Sequence, residues 1–142
     1  MALRANRRTV RIEWGDCDPM GIVFFPRYFA IFDESTAYLF ESVFGLTKFQ
    51  FNGAFNFAGM PLVDARARFI IPSRFGDDVE VESTIGEFRT SSFVVEHRLF
   101  RSGELAVEGS ETRVWVVRDP DDPERLKSQP IPREVKERFA LT

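Results

Sequence analysis

One cysteine, Cys17, and one histidine, His97, are all that this chain of 142 residues has of either type. A lone cysteine excludes an intramolecular disulfide framework and a cysteine-based zinc cluster. A lone histidine argues against a histidine-rich metal site. Long apolar runs are missing as well: none approaches the roughly 20 residues needed to cross a bilayer. The opening stretch, Met1 to Arg8, is basic but leads into no apolar segment, so no secretory signal is expected and the cytoplasm is the expected compartment. Positive charge is not in excess, since 22 acidic side chains against 19 basic ones leave a net charge of −3. Nucleic-acid binders are more often basic, so neither nucleic acid nor membrane is an expected partner. No internal repeat, low-complexity segment or linker interrupts the chain.

Apolar and aromatic residues are what it has in quantity. With 44% hydrophobic residues, 16 of the 142 being phenylalanine, the chain is expected to fold as a single domain over 1–142. At this size it buries roughly 70% of its unfolded surface. The phenylalanines should concentrate in the core or in a subunit contact.

Two periodicities organise the sequence. Thr9 to Trp14 alternates, which places Val10, Ile12 and Trp14 on one face of a strand. A loop with glycine and proline follows from Gly15 to Pro26. Arg27 to Phe44 reads as a helix that is apolar nearly all round and ends at Gly45, and such a helix is usually central. Lys48 to Gly59, with Phe49, Phe51, Phe55 and Phe57, reads as a short helix and a loop. From Pro61 the period becomes two. Leu62 to Ile71, Val79 to Ile85, Ser92 to Arg101 and Glu104 to Arg118 read as strands, with a Ser102-Gly103 turn and a possible bulge at Gly109. Pro132 to Ala140 forms a short terminal helix. The pattern is α+β: a strand, a central helix, then about four consecutive antiparallel strands.

The loop before the helix carries two carboxylates, Asp16 and Asp18. An acidic side chain just ahead of a helix N-terminus lies near free backbone N–H groups that favour developing negative charge. That is a minimal arrangement for attack on a reactive carbonyl. The segment Asp16-Cys17-Asp18-Pro19-Met20-Gly21-Ile22-Val23-Phe24-Phe25 resembles the opening of the 4-hydroxybenzoyl-CoA thioesterase family, whose pattern is Asp-x-Asp-x-x-Gly-x-Val followed by aromatics. Weaker similarity lies at Gly59-Met60-Pro61 and Phe88-Arg89-Thr90-Ser91-Ser92-Phe93.

The resemblance implies a hot-dog fold, an antiparallel sheet of about five strands wrapped around a long central helix. It implies hydrolysis of an aryl-CoA or short acyl-CoA thioester, with Asp18 as the catalytic carboxylate and the Phe25 backbone N–H as the oxyanion donor. Met60 occupies a place where relatives line the acyl pocket, and Asp33 and Phe24 join it as substrate-binding candidates on their own chemistry. Arg89, the one cation of a segment usually richer in base, with Ser91, and Arg125 and Lys127 of the terminal segment, match positions near coenzyme A. The family uses no cofactor or metal beyond the CoA of its substrate. Its subunits pair into one continuous sheet with active sites at the boundary, so a homodimer or homotetramer is expected.

Each residue also has a plainer reading. Asp18 caps a turn in many Asp-Pro sequences, and Asp16 fixes the loop by accepting backbone hydrogen bonds. Gly21 serves either close approach or an ordinary turn. Phe24 and Phe25 wall a pocket or belong to the core. Asp33 accepts from a substrate hydroxyl or from a neighbouring strand. Ser35 and Thr36 line the pocket or bond back to the helix. The basic residues are otherwise solvated surface charges. His97, between Val95 and Leu99, reads as a satisfied core or interface histidine, and Cys17 is rejected as a nucleophile because the adjacent carboxylates disfavour its thiolate. Two further readings stand beside the thioesterase: a hot-dog enoyl-CoA hydratase using an Asp/His pair, and a non-catalytic acyl-CoA-binding or assembly module.

Overall fold

The switch from helical to alternating periodicity becomes, in the molecule, one long helix laid across one antiparallel sheet. The computed structural model describes residues 3–54 and 57–140, without the side chains of Lys48, Phe49 and Asn52. Phe55 and the side chain of Phe49 therefore lie outside the described residues. In chain order the elements are β1 (Ala5–Arg11), a 3-10 turn (Trp14–Asp16), α1 (Pro26–Phe44), α2 (Lys48–Ala54), β2 (Leu62–Phe69) and β3 (Asp78–Phe88). There follow β4 (Ser92–Arg101), β5 (Glu104–Val114), β6 (Val116–Arg118), β7 (Leu126–Ser128) and α3 (Arg133–Phe139). The main sheet has five strands in the order β1-β3-β4-β5-β2, and β6 pairs with β7 separately. No helix among the described residues is long and apolar enough to cross a membrane.

Helix α1 is fixed at both ends by local chemistry. Pro26 sits at its first position, where a missing N–H costs nothing. Gly45 ends it in the left-handed region at φ 67°, with its N–H donating to the Glu41 carbonyl. Tyr28, Ile31, Phe32, Ser35, Thr36, Leu39, Phe40 and Phe44 are buried, a three-and-four spacing that makes a single stripe. The expectation of a helix apolar all round is thereby corrected: Ala30, Asp33, Glu34 and Glu41 face away from the sheet and are exposed.

The stripe divides the core. Toward the helix N-terminus, Tyr28, Ile31 and Phe32 pack with Ile12, Val23, Val79, Val81, Leu99 and Val107. Toward its C-terminus, Phe40 and Phe44 join Phe51, Phe57, Phe93, Trp115 and Phe139 in an aromatic cluster. Rings there meet edge to face, as in Phe40 against Phe51 at 5.7 Å and 89°, the geometry that the ring quadrupoles favour.

Several boundaries differ from expectation for local reasons. Strand β1 starts earlier and stops at Arg11, because Trp14 enters the 3-10 turn. The Trp14 ring is 75% exposed and meets Phe75 at 5.6 Å instead of joining the Val10 and Ile12 face. The long strand expected over Glu104 to Arg118 breaks at Trp115. Its N–H donates to the Ser91 carbonyl while its own carbonyl accepts from Gln129, so the chain changes partners there. Gly109 marks no bulge, since it pairs regularly with Ala67 and His97. A Cβ at Gly109 would instead stand 2.5 Å from the Phe32 ring, so glycine lets α1 approach β5.

Candidate active site

The loop between β1 and α1 is tied by its own backbone. The Asp16 carboxylate accepts from the Glu13 N–H at 2.8 Å, and the Asp16 carbonyl accepts from Phe24 at 2.8 Å. The Asp18 N–H donates to the Ile22 carbonyl at 2.9 Å, and Gly21 donates back to the Asp18 carbonyl at 2.9 Å. This last bond closes a turn over Asp18-Pro19-Met20-Gly21, with Gly21 at φ 80°. Asp18 does cap the turn: its Oδ1 accepts from the Met20 N–H at 2.8 Å. Oδ2 keeps no partner among the described residues, and the side chain is only half-buried. Capping therefore occupies one oxygen and holds the carboxylate still.

At the start of the helix the free donor is the amide of Phe25. It donates to no acceptor among the described residues, whereas Arg27 and Tyr28 bond back to Phe24 and Phe25 at 2.8 and 3.1 Å. Pro26 has no N–H to offer, so Phe25 presents the exposed end of the helix dipole. Phe24 and Phe25 are 49% and 57% exposed and stack edge to face at 5.5 Å.

A cavity of about 600 Å³ opens elsewhere, against the outer flank of α1. Asp33 and Met60 both line it, with Phe40, Phe51, Phe57 and Arg113. Phe24, Phe25 and Asp18 do not. Asp33 lies eight positions along the helix from Phe25, about 12 Å along the axis. One chain thus brings Asp18 together with the Phe25 loop, and Asp33 together with Met60, but does not bring the two pairs to one place.

Two charged residues of the cavity region carried no mark in the sequence analysis. Arg113 donates through Nη2 to Asp33 Oδ1 at 2.6 Å and to Glu111 Oε2 at 2.9 Å, and through Nη1 to the Met60 carbonyl at 2.9 Å. Glu111 also accepts from the Thr36 hydroxyl and lies 3.0 Å from His97 Nε2. His97 is 1% exposed. Its Nδ1 is 2.7 Å from Ser83 Oγ and its ring stacks on Phe32 at 4.8 Å. It is the satisfied core histidine that its flanking residues suggest. Burial pushes the Glu111 carboxyl up, but hydrogen bonds from His97, Arg113 and Thr36 outweigh it and hold the pKa at about 2. Burial likewise works against the Arg113 charge, and Glu111 and Asp33 together raise its pKa. Alternation offered a signal, because the run from Val107 to Trp115 turns residues 109, 111 and 113 to the helix side.

None of the remaining candidates, Arg89, Ser91, Arg125 and Lys127, lines the cavity. Arg89 and Ser91 occupy the β3–β4 connection, where Arg89 pairs with exposed Glu87 at 3.0 Å. That connection reaches β7 through Trp115, which bonds both Ser91 and Gln129. Lys127 is exposed on β7 next to Leu126, a cavity residue. Arg125 stands before β7, 4.0 Å from Asp119. Ser35 bonds back to the Ile31 carbonyl at 2.6 Å, whereas Thr36 reaches across to the strand.

Comparison with known proteins supplies the family. A family model described as the thioesterase-like superfamily matches residues 12–139. The 4-hydroxybenzoyl-CoA thioesterase of Pseudomonas sp. (strain CBS-3) is 34% identical over 128 residues, covering 86% of this chain and 88% of that protein. Its structure superposes with a TM-score of 0.86 at 30% identity, over 95% of this chain and 99% of that one. An Asp-to-Asn variant of 4-hydroxybenzoyl CoA thioesterase complexed with 4-hydroxybenzoyl CoA gives 0.88 at 30% identity, over 96% and 99%. A gentisyl-coenzyme A thioesterase gives 0.81 at 30% identity, over 95% and 100%. With the five-stranded sheet around one long helix, the turn-held Asp18 and the unpaired helix-start amide, the chain belongs to the 4-hydroxybenzoyl-CoA thioesterase family of hot-dog enzymes, within the thioesterase-like superfamily.

Proposed function

We propose that this protein hydrolyses an aryl-CoA thioester of the hydroxybenzoyl type to the free acid and CoA. The observation that carries the proposal is the pairing, on one loop, of a carboxylate oxygen and a helix-start amide that both lack a partner among the described residues. In this reading the substrate carbonyl oxygen accepts from the Phe25 N–H, which strengthens as negative charge builds on that oxygen. Asp18 then acts by one of two routes with the same products. It attacks the carbonyl carbon, expels CoA thiolate and leaves a mixed anhydride for water, or it takes a proton from a water that attacks directly. A thiol of pKa about 8.5 leaves without a strong acid to protonate it, so one carboxylate is enough.

The acyl group occupies the cavity beside Asp33 and Met60, with a ring hydroxyl donating to Asp33. Because one chain separates that cavity from Asp18, the working site joins the loop of one subunit to the cavity of a second, in a homodimer or homotetramer. Arg89, Ser91, Lys127 and Arg125 would then meet the nucleotide at the cavity mouth, with Phe24 flanking the reacting carbonyl. No observation favours the hydratase, since His97 is buried with both ring nitrogens engaged. None favours a silent binding module.

Steady-state hydrolysis of a thioester panel, wild type beside Asp18→Asn, tests the proposal. The substitution is expected to lower kcat at least ~10²-fold by removing the base or nucleophile. A loss below about tenfold in a folded variant would remove Asp18 from the chemistry.

A further inference from the structure

Resting on the aryl-thioesterase reading, we propose that Arg113, braced from behind by Glu111, is a positioning residue that fixes the Asp33 carboxylate as an acceptor on the cavity wall and so sets a preference for acyl groups bearing a hydroxyl donor. The argument begins with exposure. The Asp33 side chain is 67% exposed, whereas those of Arg113 and Glu111 are 8% and 4% exposed. A carboxylate that open on a helix surface ordinarily samples several rotamers, and ordering it costs entropy at the moment of binding.

Here the ordering is already done. Arg113 grips Asp33 Oδ1 with a charge-assisted bond of 2.6 Å, and its planar fork allows little tilt. The fork is itself immobile. Nε and Nη2 lie 3.3 and 2.9 Å from the two Glu111 oxygens, and Nη1 ties to the Met60 carbonyl. Glu111 is held in turn by Thr36 of α1 and His97 of β4. Asp33 Oδ2 has no partner among the described residues, so this carboxylate oxygen is held in place beside a cavity that Phe40, Phe51 and Phe57 line together with Glu34 and Glu41, which, unlike Asp33, Arg113 does not grip. A hydroxylated ring satisfies that oxygen. A ring without a donor displaces water from a charge and returns nothing, which is the stronger form of discrimination.

The test compares 4-hydroxybenzoyl-CoA with benzoyl-CoA on wild type, Arg113→Lys and Glu111→Asp. Lysine keeps the charge and loses the fork; aspartate keeps the buried charge and withdraws the brace by one methylene. Each variant is expected to lower kcat/KM for the hydroxylated ester about tenfold or more, through a raised KM with kcat nearly kept, and to change benzoyl-CoA less than about threefold. Adding Asp33→Asn to either should cost little more, because both changes strike the same contact. If Arg113→Lys does not fold, Glu111→Asp decides. Equal losses on both esters, or fully additive losses with Asp33→Asn, would overturn the positioning role and leave the thioesterase reading standing. A wild type that hydrolyses neither ester would overturn both.

Discussion

At the scale of single residues, the ionised Glu111 makes a stability prediction with a definite sign. Its folded pKa of about 2 lies below the ordinary glutamate value, so its contribution is complete above the unfolded value and disappears as pH falls from there toward 2. Glu111→Gln is expected to lower the melting temperature at about pH 7 and to approach wild type at about pH 2 to 3. Paired thermal melts across that range check it; a gap that stayed constant would mean the carboxylate is not held ionised by its neighbours. Gly109 gives a second prediction at this scale. Gly109→Ala drives a methyl against the Phe32 ring and should cost about 1 to 3 kcal/mol in urea unfolding. Phe32→Leu should recover part of that loss in the double variant, which separates crowding from strand propensity.

Elements were legible to the degree that their signals are local. Alternation in Val79 to Ile85 and Ser92 to Arg101 located β3 and β4, and Gly45 marked the end of α1. Strand β7 had no such signal, because Leu126, Lys127 and Ser128 are all exposed and its pairing with β6 is the only thing that makes it a strand. The same distinction runs through the site. Asp18, Phe25 and Met60 could be named because a motif places them, and Asp33 on its own chemistry. For Glu111 and Arg113, alternation along β5 discloses only the face they share; their partners come from α1, β4 and the 59–61 segment, which no spacing along β5 gives. At this scale the Ser102-Gly103 turn is a clean target. Both residues take positive φ, 51° and 79°, the pattern of a two-residue hairpin that favours Asn-Gly. Ser102→Asn should therefore raise the urea midpoint with an unchanged m-value, and Gly103→Ala should lower stability by about 1 kcal/mol.

The whole molecule presents surface that a single chain leaves open. Strand β2 ends the sheet, with Leu62, Val63, Phe69 and Ile70 between 45% and 61% exposed. Phe69 continues into the rings of Phe25, Tyr28 and Phe29, so this apolar end of the strand runs up to the loop that carries Asp18. Exposed apolar residues at both ends of an open edge strand favour pairing with a second chain, while Arg66 and Arg68 between them keep the middle of the strand charged. The proposed assembly predicts more than one chain per particle by sedimentation velocity. Val63→Lys on β2 should shift that equilibrium toward single chains and reduce hydrolysis in step, with rate per chain becoming dependent on concentration. A wild type that sediments as one chain and still turns over would end the shared-site proposal.

The unpaired Phe25 amide carries a last consequence. It belongs to the main chain, so exchanging the phenylalanine for any residue except proline leaves the N–H where it was. A saturation survey of this protein would register the acid as sensitive and pass over its counterpart in silence. Half of the proposed machinery would be visible only to chemistry that edits the peptide bond itself, such as an ester placed between Phe24 and Phe25.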